Sequence, residues 1–257
     1  MYVHCALERS PGCHHNTNFG FVHPHSAEMT QSRSKLRSLF SAQVGKKLLT
    51  GITGLALVVF VLEHMLGNLQ FLAGDDAYNA YAHFLVSLGP ALWVVEVILL
   101  VFLLMHIALG IKIWMGSRRA RSSRYRKSKS AGEPSRQTLS SRSMLVTGLV
   151  IGIFLVIHLA SFKYGAYYET TIDGTVMRDL ARLMRQKFHD PAYAFGYPAV
   201  VLLLAVHLRH GIWSAFQSLG AMRPSISRPV YTLGGLLGLG IAVGFLIVPI
   251  AIFFDWV

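Results

Sequence analysis

Long apolar runs recur five times along this chain, each bounded by polar or turn-forming residues: Lys47–Leu72, Pro90–Met115, Ser143–Gly165, Phe195–Leu219 and Val230–Phe254. A bilayer core takes about 20 helical residues to cross, so each run predicts one span. In hydrocarbon the backbone must satisfy its own polar groups, which makes each span a helix. Trp93, Trp114 and Trp256 fall near span ends, where amphipathic rings prefer to sit, and Trp213 lies about a turn and a half deeper. Between the third and fourth runs, Val176, Leu180, Leu183 and Lys187 fall at i, i+4, i+7 and i+11, with Arg178, Arg182 and Arg185 along the other side. With Asp173 or Thr175 as N-cap and Pro191 as stop, the segment Asp173 to His189 predicts a short amphipathic helix capping the bundle. No internal sequence repeat is evident.

The picture is an all-α membrane protein of five transmembrane helices, the first four forming a bundle. The composition agrees: of 257 residues, 53% are hydrophobic and only 14% charged. A net charge of +12 would suit a nucleic-acid binder, but its distribution argues against one. Ten basic residues and one acid, Glu133, fill Lys112 to Arg142 between the second and third spans. Arg33, Lys35, Arg37, Lys46 and Lys47 precede the first span, and Arg223 and Arg228 follow the fourth. Asp75, Asp76 and Asp255 fall on the other side. The positive-inside rule then places the N-terminus and the basic loop in the cytoplasm and the C-terminus outside, as a multi-pass protein of the cell inner membrane. Contact with anionic lipid is a secondary use of the same charge.

Residues 1–40 are expected to be a flexible cytoplasmic segment and 41–257 the membrane domain. Cys5, Cys13, His14, His15, His23 and His25 resemble a metal site but fit no zinc template, and two cysteines imply no disulfide framework.

Four histidines carry the chemistry. His64, His106, His158 and His207 lie one per span, 42, 52 and 49 residues apart. Ionisable groups inside a bilayer are costly and usually functional, and imidazole is a standard axial ligand of haem iron. A helix rises about 1.5 Å per residue, so position along a span gives depth. His64 and His158 fall in the outer half; His106 and His207 fall further in. That matches His64 with His158 and His106 with His207, giving two haem b groups stacked across the membrane. His106 and His207 are each followed at +4 by a glycine, Gly110 and Gly211, which clears the same helical face for a flat macrocycle. Gly67 and Gly165 are weaker versions of the same device.

At the inner membrane edge Ser41, Lys46, Lys47, His210, Trp213, Ser214 and Gln217 offer donors beside an aromatic wall, as a quinone site requires. Lys46, Lys47 and Arg209 are alternative partners for haem propionates, or simply snorkel to the interface. Glu63 and Glu96 are the intramembrane carboxylates, and Tyr78, His83 and Lys163 mark an outer alternative.

The stretches Leu62-Glu-His-Met-Leu-Gly-Asn-Leu69, Gly89-Pro-Ala-Leu-Trp-Val-Val-Glu96, Ile157-His-Leu-Ala-Ser-Phe-Lys-Tyr-Gly165 and His207-Leu-Arg-His-Gly-Ile-Trp-Ser-Ala-Phe-Gln-Ser-Leu-Gly220 resemble the membrane-anchor cytochrome b subunit of succinate dehydrogenase/fumarate reductase, in its single-chain, five-helix, di-haem form. The resemblance covers roughly Ser41 to Val257. It implies two b-type haems, and an FAD-bearing flavoprotein subunit and an iron–sulfur subunit docked on the cytoplasmic face. It also implies quinone, often menaquinone, as redox partner. Some members carry a glutamate two residues before the fourth-span ligand; here that residue is Ala205. No dinucleotide fingerprint or cysteine cluster is present, so succinate chemistry would belong to a partner chain. Two alternatives stay open: the cytochrome b subunit of another quinone-linked dehydrogenase or hydrogenase, and a non-haem protein using its histidines as a proton relay.

Overall fold

The computed structural model describes residues 42–120 and 139–257. Helix α1 (Gln43–Leu69) tightens into a 3-10 turn (Gln70–Ala73) and leads to the short helix α2 (Asp75–Ser87). Helix α3 (Pro90–Arg119) returns, α4 (Leu139–His158) rises again and continues into a π-turn (Leu159–Lys163). A hairpin of β1 (Glu169–Ile172) and β2 (Thr175–Arg178) precedes α5 (Leu180–Phe188), α6 (Pro191–Ser218) and α7 (Pro224–Phe253). Five helices are long and apolar enough to span a membrane. Proline opens α3, α6 and α7 at the first turn, where its missing N–H costs nothing. Asp190 caps α6 by accepting from the Ala192 N–H at 2.8 Å.

Most spans run past their apolar bounds: α1 starts at Gln43, α3 reaches Arg119 and α7 starts at Pro224. Apolar counting stops at the polar interface, whereas backbone hydrogen bonding does not. The segment before α6 needs a larger correction. The expected helix from Asp173 is a hairpin first, because Asp173 and Gly174 both take positive φ (50° and 77°), as the tight two-residue turn demands. The amphipathic helix begins only at Leu180, capped by Asp179, whose carboxylate accepts from the Arg182 N–H at 2.9 Å. Helix α2 is an element the apolar pattern did not announce.

The hairpin, α2 and α5 gather at one end of the bundle, the capped end; Arg118, Arg119 and the start of α4 mark the other, basic end. Phe71, Tyr78, Phe162, Ala181, Leu183, Met184, Phe188, Val248 and Ile252 pack into a core at the capped end. Asn79, fully buried, ties α2 to α5: its amide donates to Asp179 Oδ1 at 3.0 Å and its carbonyl accepts from the Ala181 N–H at 2.9 Å. Arg185 clamps Asp75 through Nε and Nη2, 2.6 Å at the shortest, and also donates to the Val257 carbonyl. This bond to Asp75 holds the guanidinium above its ordinary range. Burial likewise holds the Tyr78 phenol above its usual range, so its hydroxyl stays a donor, to Asn68 Oδ1 at 3.4 Å.

Between the ends, α1, α3, α4 and α6 form a ring in which α1 touches α3 and α6, α4 touches α6, and α3 meets α4 only lightly. Helices α1 and α4 therefore face each other across one diagonal, α3 and α6 across the other. Helix α7 lies outside the ring against α6 and α1. Glycines bring it close: a Cβ at Gly238 would sit 3.0 Å from the Ala205 carbonyl, and Gly234 lies against Ile212.

A candidate bis-histidine centre at each of two depths

The two diagonals carry the four histidines. His64 on α1 faces His158 on α4 with ring centroids 5.6 Å apart, and His106 on α3 faces His207 on α6 at 6.5 Å. The expected matching by depth is the one the ring brings together. His64 and His158 lie toward the capped end, His106 and His207 toward the basic end.

The polar neighbours of the basic-end pair settle its tautomers. The His106 Nδ1 lies 3.1 Å from the Thr50 carbonyl, which can only accept, so Nδ1 carries the proton. The Thr147 hydroxyl spends its own hydrogen on the Ser143 or Met144 carbonyl and accepts from His207 Nδ1 at 3.0 Å. Both Nε2 lone pairs are thus left for a ligand, the arrangement in which a metal-binding imidazole is usually held. Thr53 adds a longer approach to His106 Nδ1 at 3.5 Å. Glycine makes room for each ring. A Cβ at Gly54 would lie 2.9 Å from His106 Cε1, and one at Gly148 would lie 3.4 Å from the same atom of His207. The sequence therefore places a Thr-Gly dipeptide, Thr53-Gly54 and Thr147-Gly148, against each imidazole of this pair. Neither was singled out from the sequence, since Thr and Gly are ordinary helix-contact residues in membranes.

The capped-end pair sits in an aromatic box. Phe60 stacks on His64 at 5.6 Å and Phe154 on His158 at 5.9 Å, with Phe245, Phe162 and Tyr197 completing the walls. Asn68 bonds the His64 carbonyl at 2.7 Å and comes within 3.5 Å of its Nε2. His158 Nδ1 is buried without a partner.

These pairs fit a haem. An imidazole nitrogen binds a first-row metal at about 2 Å and the ring centre lies about 1.1 Å beyond, so two rings sharing one iron stand about 6 Å apart. Among the described residues no three His, Cys, Asp or Glu side chains converge to hold a bare ion. Two donors suffice when a macrocycle supplies the rest. A Cβ at Gly110 or Gly211 would meet no other atom within 4 Å, so both face open space a turn beyond the basic-end pair. The other two glycines have local reasons. Tyr81 packs onto Gly67, and Gly165 folds back on the Ser161 carbonyl.

The remaining candidates disperse. Ser41 lies outside the described residues, as do the Cys/His-rich segment and most of the basic loop. Lys46 is half-buried and Lys47 exposed at the start of α1. Arg209 stands on the face of α6 opposite His207, its guanidinium 4.5 Å over Tyr231 of α7. His210 neighbours Trp213 at 5.8 Å, and its Nδ1 is buried without a partner. Trp213 is buried and donates to the Ser227 hydroxyl at 3.3 Å, while Gln217 is exposed. Gly51 meets Ala215, so α1 and α6 close together at this end. Ser227 and Tyr231, from the span given no role on sequence grounds, complete the cluster.

At the capped end Lys163 pairs with Glu96, joining α4 to α3. Glu63, Leu66, Gly67, Gln70 and Tyr81 line a notch of about 270 Å³ on the flank of α1. Comparison with family models, curated proteins and solved structures gives no match.

Proposed function

We propose that this chain is the membrane-anchor cytochrome b subunit of a succinate:quinone oxidoreductase. It relays electrons between a docked iron–sulfur subunit and membrane quinone through two b-type haems. The observation that carries the reading is a facing imidazole pair at each of two depths, on the two diagonals of one helical ring. When bound, haem with two histidines on its iron supplies one-electron transfer and no open site for oxygen. The chain's own part is positional. Thr50 and Thr147 fix the His106 and His207 tautomers. Gly110 and Gly211 clear the adjoining face, and the aromatic box excludes water from His64 and His158. In this reading the basic end faces the cytoplasm, where the flavoprotein and iron–sulfur subunits dock.

A reduced-minus-oxidised absorption spectrum of the purified chain tests the centre and should show low-spin b-type haem. No haem band would sink the reading and favour a histidine proton relay. Mild-detergent purification should also return a flavoprotein and an iron–sulfur protein with succinate-dependent quinone reduction. A haem-bearing chain lacking both would belong to another quinone-linked enzyme.

The quinone is assigned to the basic end, beside His210, Trp213 and Gln217, with Lys46 at the same end of α1. His210 Nδ1 has no partner there among the described residues, so it is available to a carbonyl oxygen. Gln217→Ala or Trp213→Phe should raise the apparent KM for quinone about fivefold, the loss of about 1 kcal/mol of hydrogen bonding or contact, with the haem spectrum intact. Unchanged kinetics would move the site to the notch on α1, where Glu63→Gln becomes the deciding variant.

A further inference from the structure

Of the four paired histidines, two have a polar partner on Nδ1, His106 with Thr50 and His207 with Thr147, while Asn68 approaches His64 at Nε2 instead, at 3.5 Å. His158 has none, though its Nδ1 is buried. A second buried polar atom of the same aromatic box has no well-formed hydrogen bond among the described residues: the hydroxyl of Tyr197 on α6, whose ring centroid lies 6.0 Å from that of His158. Buried polar groups are nearly always satisfied, and two orphans in one box call for a common explanation. Ser161, the other hydroxyl nearby, bonds Tyr193 at 3.0 Å and also approaches the Tyr197 hydroxyl, which leaves Tyr197 free to accept a further hydrogen.

We propose that Tyr197 is the positioning residue of His158, its hydroxyl accepting from the Nδ1–H once Nε2 is engaged on the side of His64. The capped-end rings stand at 5.6 Å, slightly nearer than two rings sharing one iron would require, so a bound haem would hold His158 a little farther from His64. The inference rests on the haem reading of the pair. Tyr197 does not touch the iron; it acts through the imidazole. An acceptor on Nδ1–H makes the ring a stronger donor and favours ferric iron.

The experiment is redox potentiometry and low-temperature EPR of the intact complex carrying Tyr197→Phe, with Ser161→Ala as control. The haem lost in His158→Ala identifies the capped-end signal. In Tyr197→Phe the capped-end haem should remain but titrate at a higher potential with altered g-values, the other haem unchanged. The Ser161→Ala complex, which keeps the Tyr197 hydroxyl, should shift the same signal much less than Tyr197→Phe does. Selective loss of the capped-end haem in Tyr197→Phe, with normal chain levels, would equally assign Tyr197 to His158. Wild-type potentials and g-values in Tyr197→Phe would overturn the inference while leaving the haem reading standing. Equal shifts of both haems would overturn it too. Absence of haem from the wild-type chain would instead remove the reading beneath it.

Discussion

On the proposed haem reading, His207→Ala should leave the chain with about half the haem of wild type, the loss falling on the basic-end centre, whereas His210→Ala should keep both haems. The two residues are three apart on α6 and point to different places. His207 faces His106 across the ring at 6.5 Å and is held by Thr147. His210 lies beside Trp213 at 5.8 Å, toward α7. With His207 gone, His106 alone would be left to hold the haem at that depth, and a group with one protein donor in place of two would bind less tightly. Pyridine-haemochrome content with redox difference spectra decides the matter. Full haem in His207→Ala beside depleted haem in His210→Ala would reverse the assignment.

Asn79→Leu should loosen the capped end without touching either histidine pair. The amide joins α2 to the N-terminus of α5 through Asp179 and the Ala181 N–H, in a position only 2% exposed. Leucine fills a similar volume but leaves that N–H buried and unpaired, at a cost of about 1–3 kcal/mol. The detergent-solubilised variant should unfold at a lower temperature and be cut faster by trypsin at Arg178 and Arg182. Wild-type behaviour in both assays would show that the apolar core of Phe71, Leu183 and Phe188 holds the cap alone.

What could be read from the sequence followed from the bilayer. A span must be long, helical and apolar, so the five crossings and the depth of each histidine emerged from position alone. The matching of His64 with His158 and of His106 with His207 needed only those depths. The rest depended on contacts between distant segments. Thr53-Gly54 and Thr147-Gly148 matter because an imidazole from another helix lies against them, and nothing local marks that. Ser227 receives the Trp213 indole from a neighbouring span. The hairpin did leave a signal, Asp173-Gly174, but the helical spacing of apolar residues through Leu183 outweighed it. Helix α2 is short and mixed in polarity, and becomes stable only against α5 and the Phe71 turn.

The Thr-Gly contacts reach further than the rings they touch. Thr53 stands eleven positions before His64, and Thr147 eleven before His158. Pro90 and Pro191 each stand sixteen before the histidine of the returning helix, and glycine follows that histidine at the same distance in both. The chain thus repeats one plan twice: a rising helix, a short cap helix, a proline-started return. In that plan α1 corresponds to α4 and α3 to α6. Each imidazole pair takes one histidine from each half. Helix α7 has no counterpart. It covers the seam between α6 and α1 and leaves the equivalent seam, between α3 and α4, only lightly closed. The fifth helix therefore makes the two halves unequal: it lends Phe245 to one imidazole pair's surroundings, and Ser227 and Tyr231 to the cluster around Trp213, on one flank alone.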